Sequence, residues 1–310
     1  MEKPLWAWAL FIGVVIILLV FDLGFFNRKN KEIDVKSSLK LSLYYIIVAV
    51  LYGKWIWYYM GAESSKEFYT GFLIEKTLAV DNIFIISMIF TYFNIPRIYQ
   101  HRVLFWGILG VVVLRAIMIG LGATLIENFA WIMIVFAVFL MITGVKMMMI
   151  NDSNPDLSNN IILKVIKKYL PVTDEMQEER FVIEKQEKDG SVKKYFTPLF
   201  VALMMIEFVD LIFAVDSVPA IFAITHDVYI VYTSNIFAIL GLRALYFALS
   251  AIIHRFHYLK YSVSIILVFI GLKIIYSEFY GKVPALYSLM VTVMLLAGGV
   301  VVSLYKTKKN

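Results

Sequence analysis

The sequence predicts an all-α polytopic membrane protein that crosses the bilayer nine times, and three observations carry that prediction. Of the 310 residues, 61% are hydrophobic and only 17% are charged, whereas soluble domains average about 45–50% apolar and about 25% charged residues. Apolar windows long enough to span a bilayer recur along the chain, and basic residues concentrate in alternate loops. The composition excludes a soluble enzyme and a nucleic-acid-binding protein, despite the net charge of +6.

A spanning helix needs about 20 mainly apolar residues. Windows of that length predict spans at 5–26, 41–60, 68–93, 103–126, 129–150, 198–224, 229–253, 258–277 and 283–305. The connections are short except for residues 151–197, so we expect one membrane domain over residues 1–310. Within the long segment, β-prone runs flank Asp189-Gly190, which predicts a small hairpin.

The distribution of basic residues predicts the orientation. Lys and Arg in short loops stay on the cytoplasmic side of a membrane. The basic loops contain Arg28, Lys29, Lys31, Lys36, Lys40, Arg97, Arg102, Arg255, Lys260, Lys306, Lys308 and Lys309. All nine spans agree with an N-terminus outside, a C-terminus inside and a cytoplasmic loop at 151–197. No small-residue cleavage site follows the first apolar run, so we expect it to be a retained span.

Ionisable residues stand at membrane depth, where they are costly and mark sites or pathways. The third span carries Glu75, Lys76, Asp81 and Asn82, the sixth carries Glu207, Asp210, Asp216 and Ser217, and the fourth and seventh carry Arg115 and Arg243. Carboxylate, amide and hydroxyl oxygens suit hard cations such as Mn, Mg and Ca. The chain has no Cys and its four His lie at span ends or in loops, so we expect neither a thiolate nor a His-based zinc site.

These positions repeat in order along two halves of the chain. Ala-Val-Asp-Asn at 79–82 matches Ala-Val-Asp-Ser at 214–217, Leu-Arg-Ala at 114–116 matches 242–244, and Gly-Val-Lys at 144–146 matches Gly-Leu-Lys at 271–273. Each copy has three spans, so spans 3–5 and 6–8 run in opposite directions. Secondary transporters use such inverted repeats and bind their substrates near the midplane.

The repeat predicts a metal site and its supporting charges. We expect ligands from Glu75, Asp81, Asn82, Asp210, Asp216 and Ser217, with Lys76, Arg115, Glu207 and Arg243 compensating charge or coupling transport to another ion. A purely structural ion-pair role for the acids is the alternative. Pro219 after Asp216-Ser217 also predicts that the sixth span breaks near residues 215–218, which would free backbone carbonyls.

The paired motifs, Glu75-Lys-Thr-Leu-Ala-Val-Asp81-Asn82 and Asp210-Leu-Ile-Phe-Ala-Val-Asp216-Ser217-Val-Pro219, resemble those of the TerC family of bacterial membrane proteins. The resemblance covers nearly the whole chain. It implies export of metal ions, chiefly manganese, across the bacterial cytoplasmic membrane, and the family name comes from an association with tellurium resistance. Ala79 stands where Ser is common in the family pattern.

The sequence therefore predicts a Mn(II) exporter with alternating access around the acidic site, and proton antiport is the coupling hypothesis. A Ca(II) transporter accepts the same oxygen ligands. A non-transporting partner, whose central loop recruits a stress-response or secretion complex, is a hypothesis of another class, and homo-oligomerisation stays open. Neither a Gly-x-Ser-x-Gly elbow nor a His-Glu-x-x-His motif is present, so we expect no enzyme activity.

Overall fold

The structure is a computed structural model, and it describes residues 3–26, 35–129, 131–149, 161–176, 178–186, 191–249, 259–281, 283 and 285–307. Within these ranges the description omits the side chains of residues 23–26, 80, 81, 84, 161, 162, 167, 215, 216, 259, 260, 285 and 307. Two predicted ligands, Asp81 and Asp216, are among them. Their backbones lie on helices, and their side chains lie outside the described part of the chain.

The described part of the chain is helical apart from one hairpin and its connections. In chain order the elements are α1 (Leu5–Phe26), α2 (Val35–Met60), α3 (Ala62–Tyr92), α4 (Arg97–Asn128), α5 (Ile132–Met149), α6 (Ile161–Tyr169), β1 (Val182–Gln186), β2 (Val192–Phe196), α7 (Pro198–Phe222), α8 (Val228–Leu240), α9 (Leu242–Leu249), α10 (Leu259–Tyr280) and α11 (Ala285–Thr307).

Eight helical segments of the described chain are long and apolar enough to cross a membrane, with α8 and α9 counted as one. The helix α3 is not among the eight. It has 31 residues, but acidic and basic side chains occur along its length. The residues concerned are Glu63, Lys66, Glu67, Glu75, Lys76 and Asp81. The protein is thus a polytopic all-α membrane protein.

The predicted break in the sixth span is wrong. The helix α7 runs without interruption from Pro198 to Phe222 and contains Pro219 in its interior. A proline removes one backbone donor, and membrane helices tolerate this where neighbouring groups satisfy the freed carbonyl. The chain breaks instead at Gly241, between α8 and α9.

The helix α8 lies at the centre of the fold. All its residues from Tyr229 to Leu240 except Tyr232 are buried, as expected for a helix that is apolar on every face and surrounded by other helices. It packs against α3 and α4. By contrast, one side of α1 is exposed, with Ile16 at 54% and Ile17 at 66%, and such apolar surface suits contact with lipid.

The helices α5 and α10 pack closely because each has a glycine at the contact. A Cβ atom on Gly144 would lie 2.7 Å from the carbonyl oxygen of Ser264, and one on Gly271 would lie 2.7 Å from that of Ala137. The partner numbers fall on one helix as they rise on the other, so the two helices run antiparallel.

The hairpin predicted in the long segment is confirmed. The strands β1 and β2 pair antiparallel, with Val182 opposite Phe196 and Gln186 opposite Val192. The predicted Asp-Gly turn falls within residues 187–190, outside the described residues. The hairpin contacts the base of α4, where the Arg102 guanidinium lies 5.1 Å from the ring centre of Phe181.

Candidate functional site

A buried cluster of polar side chains lies between α3, α4, α7 and α8, with Arg115 at its centre. Arg115 Nη1 lies 2.8 Å from Glu75 Oε1 on α3, and its Nε lies 3.6 Å from Asp210 Oδ2 on α7. Both Arg115 and Glu75 are 1% exposed. One guanidinium on α4 thus stands between the two acids that the repeat relates.

Amide and hydroxyl groups complete the cluster. The side-chain amide of Asn82 donates to Asp210 Oδ1 at 3.2 Å, and Arg115 Nη1 donates to the Ser217 hydroxyl. Asn235 on α8 donates to Glu75 Oε2 at 3.3 Å. Each acid is therefore held from two other helices, which fixes its position.

Several oxygens of the cluster have more acceptor capacity than the protein uses. Asn82 Oδ1, Asp210 Oδ2 and Asn235 Oδ1 are buried and accept no hydrogen bond in the structure. Buried polar atoms are nearly always satisfied, and an exception calls for an explanation such as a bound ion. These oxygens are the donor type that hard divalent cations prefer.

Two small cavities adjoin the cluster. One, of about 30 Å³, is lined by Glu75, Asn82, Arg115 and Ser217 together with Thr143 and Met147 of α5. The other, of about 20 Å³, has Asn82, Asp210 and Arg243 in its walls. A volume of about 10–15 Å³ suffices for a water molecule, so an ion of similar size fits beside the acids.

The structure brings together Glu75, Asn82, Asp210, Ser217 and Arg115 from the predicted set. Asp81 and Asp216 lie on the same two helices, with side chains outside the described part. Among the described residues, no three His, Cys, Asp or Glu side chains converge. In the structure the Arg115 guanidinium occupies the space between Glu75 and Asp210.

Asn235 and the α5 residues were not predicted as part of the site. Asn235 is 0% exposed and carries no charge, so sequence position alone did not distinguish it. An amide inside a membrane span is nevertheless a signal, because such groups need a partner in lipid.

Lys76 contacts a backbone carbonyl rather than either described acid. Its Nζ donates to the carbonyl of Ala238 at 3.0 Å, near the end of α8. The last carbonyls of a helix have no partner within the helix, and a lysine is a common cap there. Gly241 makes room, since a Cβ atom there would lie 2.9 Å from Lys76 Nζ.

Arg243 compensates a different acid from the one expected. Its Nη2 lies 2.6 Å from Asp22 Oδ2 on α1 and also donates to the Asp22 carbonyl at 2.8 Å. Arg243 is 2% exposed and reaches the smaller cavity beside Asp210. Arg243, the second arginine of the repeat, therefore pairs with Asp22 and lines the smaller cavity, and it does not join Arg115 in the cluster.

Glu207 lies one helical turn from Asp210 and faces α4. Both of its carboxylate oxygens are buried and have no hydrogen-bond partner in the structure. A Cβ atom on Gly110 would overlap this carboxylate, so the glycine provides the space that it occupies. A carboxyl group in such surroundings is costly to ionise.

Comparison with known proteins places this architecture in a family. Residues 60–310 match the model of the integral membrane protein TerC family. An uncharacterized membrane protein of Rickettsia felis is 50% identical over 300 residues, covering 97% of this chain and 98% of the relative.

Two further relatives extend the comparison. An uncharacterized membrane protein of Myxococcus xanthus is 42% identical and covers 97% of this chain and 92% of its own length. The putative membrane-bound redox modulator Alx of Salmonella typhi is also 42% identical, covering 91% and 88%. No solved structure matches the chain. With its polytopic helical fold and its matching residues 60–310, the chain belongs to the TerC family of integral membrane proteins.

Proposed function

We propose that the protein is a secondary transporter that exports divalent metal cations, with Mn(II) as its substrate, across the bacterial cytoplasmic membrane. The observation that carries the proposal is the convergence of Glu75 and Asp210 from two repeat-related helices on one buried cluster. Around them stand the side-chain oxygens of Asn82 and Asn235, which accept no hydrogen bond from the protein. Amide oxygens of this kind are available to a hard cation.

Arg115 acts in this proposal as a cation built into the protein. Two carboxylates and one guanidinium leave one negative charge in a nearly dry site, if the carboxylates are ionised. An incoming divalent ion would take the acid oxygens and displace the guanidinium, and Arg115 would return as the ion leaves. The arginine thereby keeps the acids from facing the membrane interior without a partner, which is costly.

The arrangement of the helices supports an inverted repeat and hence alternating access. Asn82 contacts Asp210, while Ser217 and Glu75 share one nitrogen of Arg115. Glu75 corresponds to Asp210 and Asn82 to Ser217 in the two motifs. Interchanging the motifs therefore turns the first of these pairs into the second, as a two-fold relation requires. The antiparallel contact of α5 with α10 is of the same kind. We include α3 as the ninth span, with the N-terminus outside and the C-terminus inside.

Proton antiport is the coupling we propose. Glu75 and Asp210 flank Arg115 in one membrane-embedded cluster, and Glu207 lies one turn from Asp210, so carboxyl groups that can exchange a proton for a metal ion stand together there. The Salmonella typhi relative is named a putative membrane-bound redox modulator. This chain has no Cys, so a redox role of its own would not involve thiols.

Purified protein in sealed liposomes tests the proposal. We expect manganese flux in wild-type vesicles, faster when a pH gradient is imposed, and at least about tenfold lower flux for Asp210→Asn, because neutralising one acid removes a ligand and leaves Glu75 and Arg115 with no net negative charge to attract the ion. The exposed Glu127→Gln change on α4 serves as the control. If the flux changes neither in Asp210→Asn nor with the pH gradient, the proposed metal site and the proposed proton coupling are both wrong.

A scaffold role is the second candidate, and the hairpin favours it. Strand β2 projects Lys193 and Lys194, both exposed, while contacts of Glu179 with Arg102 at 3.6 Å tie the segment to α4. Reversing both lysine charges to Glu changes the exposed face and leaves those contacts intact. If the protein is a transporter, the variant keeps the manganese flux of the wild type. If it is a scaffold, neither the wild type nor the variant shows manganese flux, and the variant loses the effect that the wild type has in cells.

A further inference from the structure

The helix α5 contributes a wall to the main cavity that neither repeat motif includes. Thr143 and Met147 stand one turn apart on α5 and line the same 30 Å³ cavity as Glu75, Asn82 and Ser217. Met147 is half-buried there, whereas Met149, two residues further on, is 77% exposed. The Met147 side chain therefore lines the main cavity, whereas Asp210 lies in the wall of the other cavity.

The donors around this cavity differ from a calcium site. Ca²⁺ takes about six to eight oxygen ligands in a flexible shell. The described walls offer oxygens from Glu75, Asn82, Thr143 and Ser217, and the other positions are the Arg115 and Met147 side chains and apolar residues. A soft, polarizable thioether contributes little to binding Ca²⁺ or Mg²⁺. Mn²⁺ also prefers oxygen ligands but, as a transition-series ion, it binds a thioether more readily than the alkaline-earth ions do.

We propose that Met147 is a specificity-determining residue that makes the site prefer transition-series divalent cations over Ca²⁺ and Mg²⁺. This inference rests on the proposed transport function and decides between manganese and calcium, which the oxygen donors alone leave open. Thr143 supplies a hydroxyl oxygen on the same wall, and the close α5–α10 contact at Gly144 fixes the helix that carries both.

Competition in manganese-transporting liposomes tests the role of the sulfur. Cd²⁺ and Ca²⁺ have similar sizes but differ in softness. The ratio of the concentrations at which they inhibit manganese flux therefore shows whether the site contains a soft ligand. We expect Cd²⁺ to inhibit wild-type manganese flux at a concentration at least about tenfold lower than Ca²⁺, and Met147→Leu to remove most of that difference. Leu is close to Met in volume, so the packing changes little.

Two further variants keep the test decisive. Met147→Gln replaces the thioether by an amide oxygen, and we expect Ca²⁺ to become the stronger competitor. Met149→Leu removes an exposed sulfur from the same helix and should behave as the wild type. If Met147→Leu and Met147→Gln both keep the wild-type ratio, the role of Met147 is wrong while transport stands. If the wild type itself transports no divalent ion, the proposed function is wrong, and the role of Met147 that rests on it is wrong as well.

Discussion

Arg115 determines the charge balance at the centre of the molecule. It is 1% exposed and contacts acids from two helices, so its removal would leave two carboxylates without a cation partner. Breaking a buried ion pair by removing one member costs about 3–5 kcal/mol. The same residue, in our account, competes with the substrate for the acids. Removing Arg115 should therefore lower the stability of the protein and strengthen its binding of metal ions.

We therefore expect Arg115→Ala to unfold at a lower temperature than the wild type in the absence of metal, and to be stabilised more strongly by Mn²⁺. A ligand that binds only the folded state stabilises it by an amount that rises with its affinity at a given ligand concentration, and the variant has no guanidinium for the ion to displace. Thermal unfolding in detergent with and without MnCl₂ measures both effects. Arg102→Ala, on the same helix at the hairpin, is the control. A Mn²⁺ shift no larger than that of the wild type would rule out the competition.

The pair of Asp22 and Arg243 makes a separate prediction. We expect Asp22→Asn and Arg243→Met each to lower the stability by about 3–5 kcal/mol, because each leaves the other residue buried without its partner, and the double variant to recover a large part of the loss. Thermal unfolding of the four proteins in a double-mutant cycle gives the coupling. Additive losses would show that the 2.6 Å contact contributes no specific stabilisation.

The sequence predicted the charged members of the cluster because a charge at membrane depth is rare enough to stand out. It did not predict their partners. Lys76 and Arg243 have the same charge as Arg115, and only the structure separates them: Lys76 caps α8 at Ala238, and Arg243 binds Asp22. Which acid a base pairs with depends on how the helices pack, and no local pattern encodes that.

At the scale of elements, a helix is interrupted at a glycine, whereas the sequence predicted an interruption beside a proline. Pro219 stays within α7, and the chain breaks at Gly241. A proline removes one donor, while Gly241 leaves room for Lys76 and Tyr45 to approach the end of α8. The matching Gly-x-Lys runs also proved informative, because Gly144 and Gly271 face each other's helices. Their position was predicted from the repeat, although their contact was not.

The α5–α10 contact predicts an asymmetric response to two glycine changes. We expect Gly271→Ala to lower the unfolding temperature and the manganese flux, because its Cβ atom would lie 2.6 Å from Met141 and 2.7 Å from the Ala137 carbonyl and would push α5 with its Met147 away from the site. Gly298→Ala on α11 meets no atom within 4 Å and should be neutral or stabilising. Equal effects of the two changes would contradict the close contact.

At the scale of the whole molecule, most helix boundaries could be predicted within a few residues, because long apolar runs are visible in the composition. The distribution of basic residues predicts the directions of the spans. The helix α3 was predicted as a span at 68–93, although its charges keep it out of the eight helical segments of the described chain that are apolar enough to cross a membrane. Glu75, one of those charged residues, belongs to the candidate site. The proposed function therefore requires a helix that departs from a typical membrane span.

The absence of Cys from the sequence makes the orientation directly measurable. We expect Ala62→Cys, at the start of α3, to react with a membrane-impermeant maleimide in intact spheroplasts, because the positive-inside rule places it outside. Lys194→Cys on β2 should react only after permeabilisation. The reverse pattern would invert the topology, and labelling of both residues in intact spheroplasts would mean that α3 does not cross the membrane.

We propose that the Glu75–Asp210 cluster carries manganese out of the cell. The most direct test is total cellular manganese by mass spectrometry in manganese-loaded cells that express wild type, Asp210→Asn or the control Glu127→Gln at matched membrane levels. We expect wild type and Glu127→Gln to lower manganese with calcium and magnesium unchanged, and Asp210→Asn to leave it high. Equal lowering by all three proteins, or by none of them, would contradict the account.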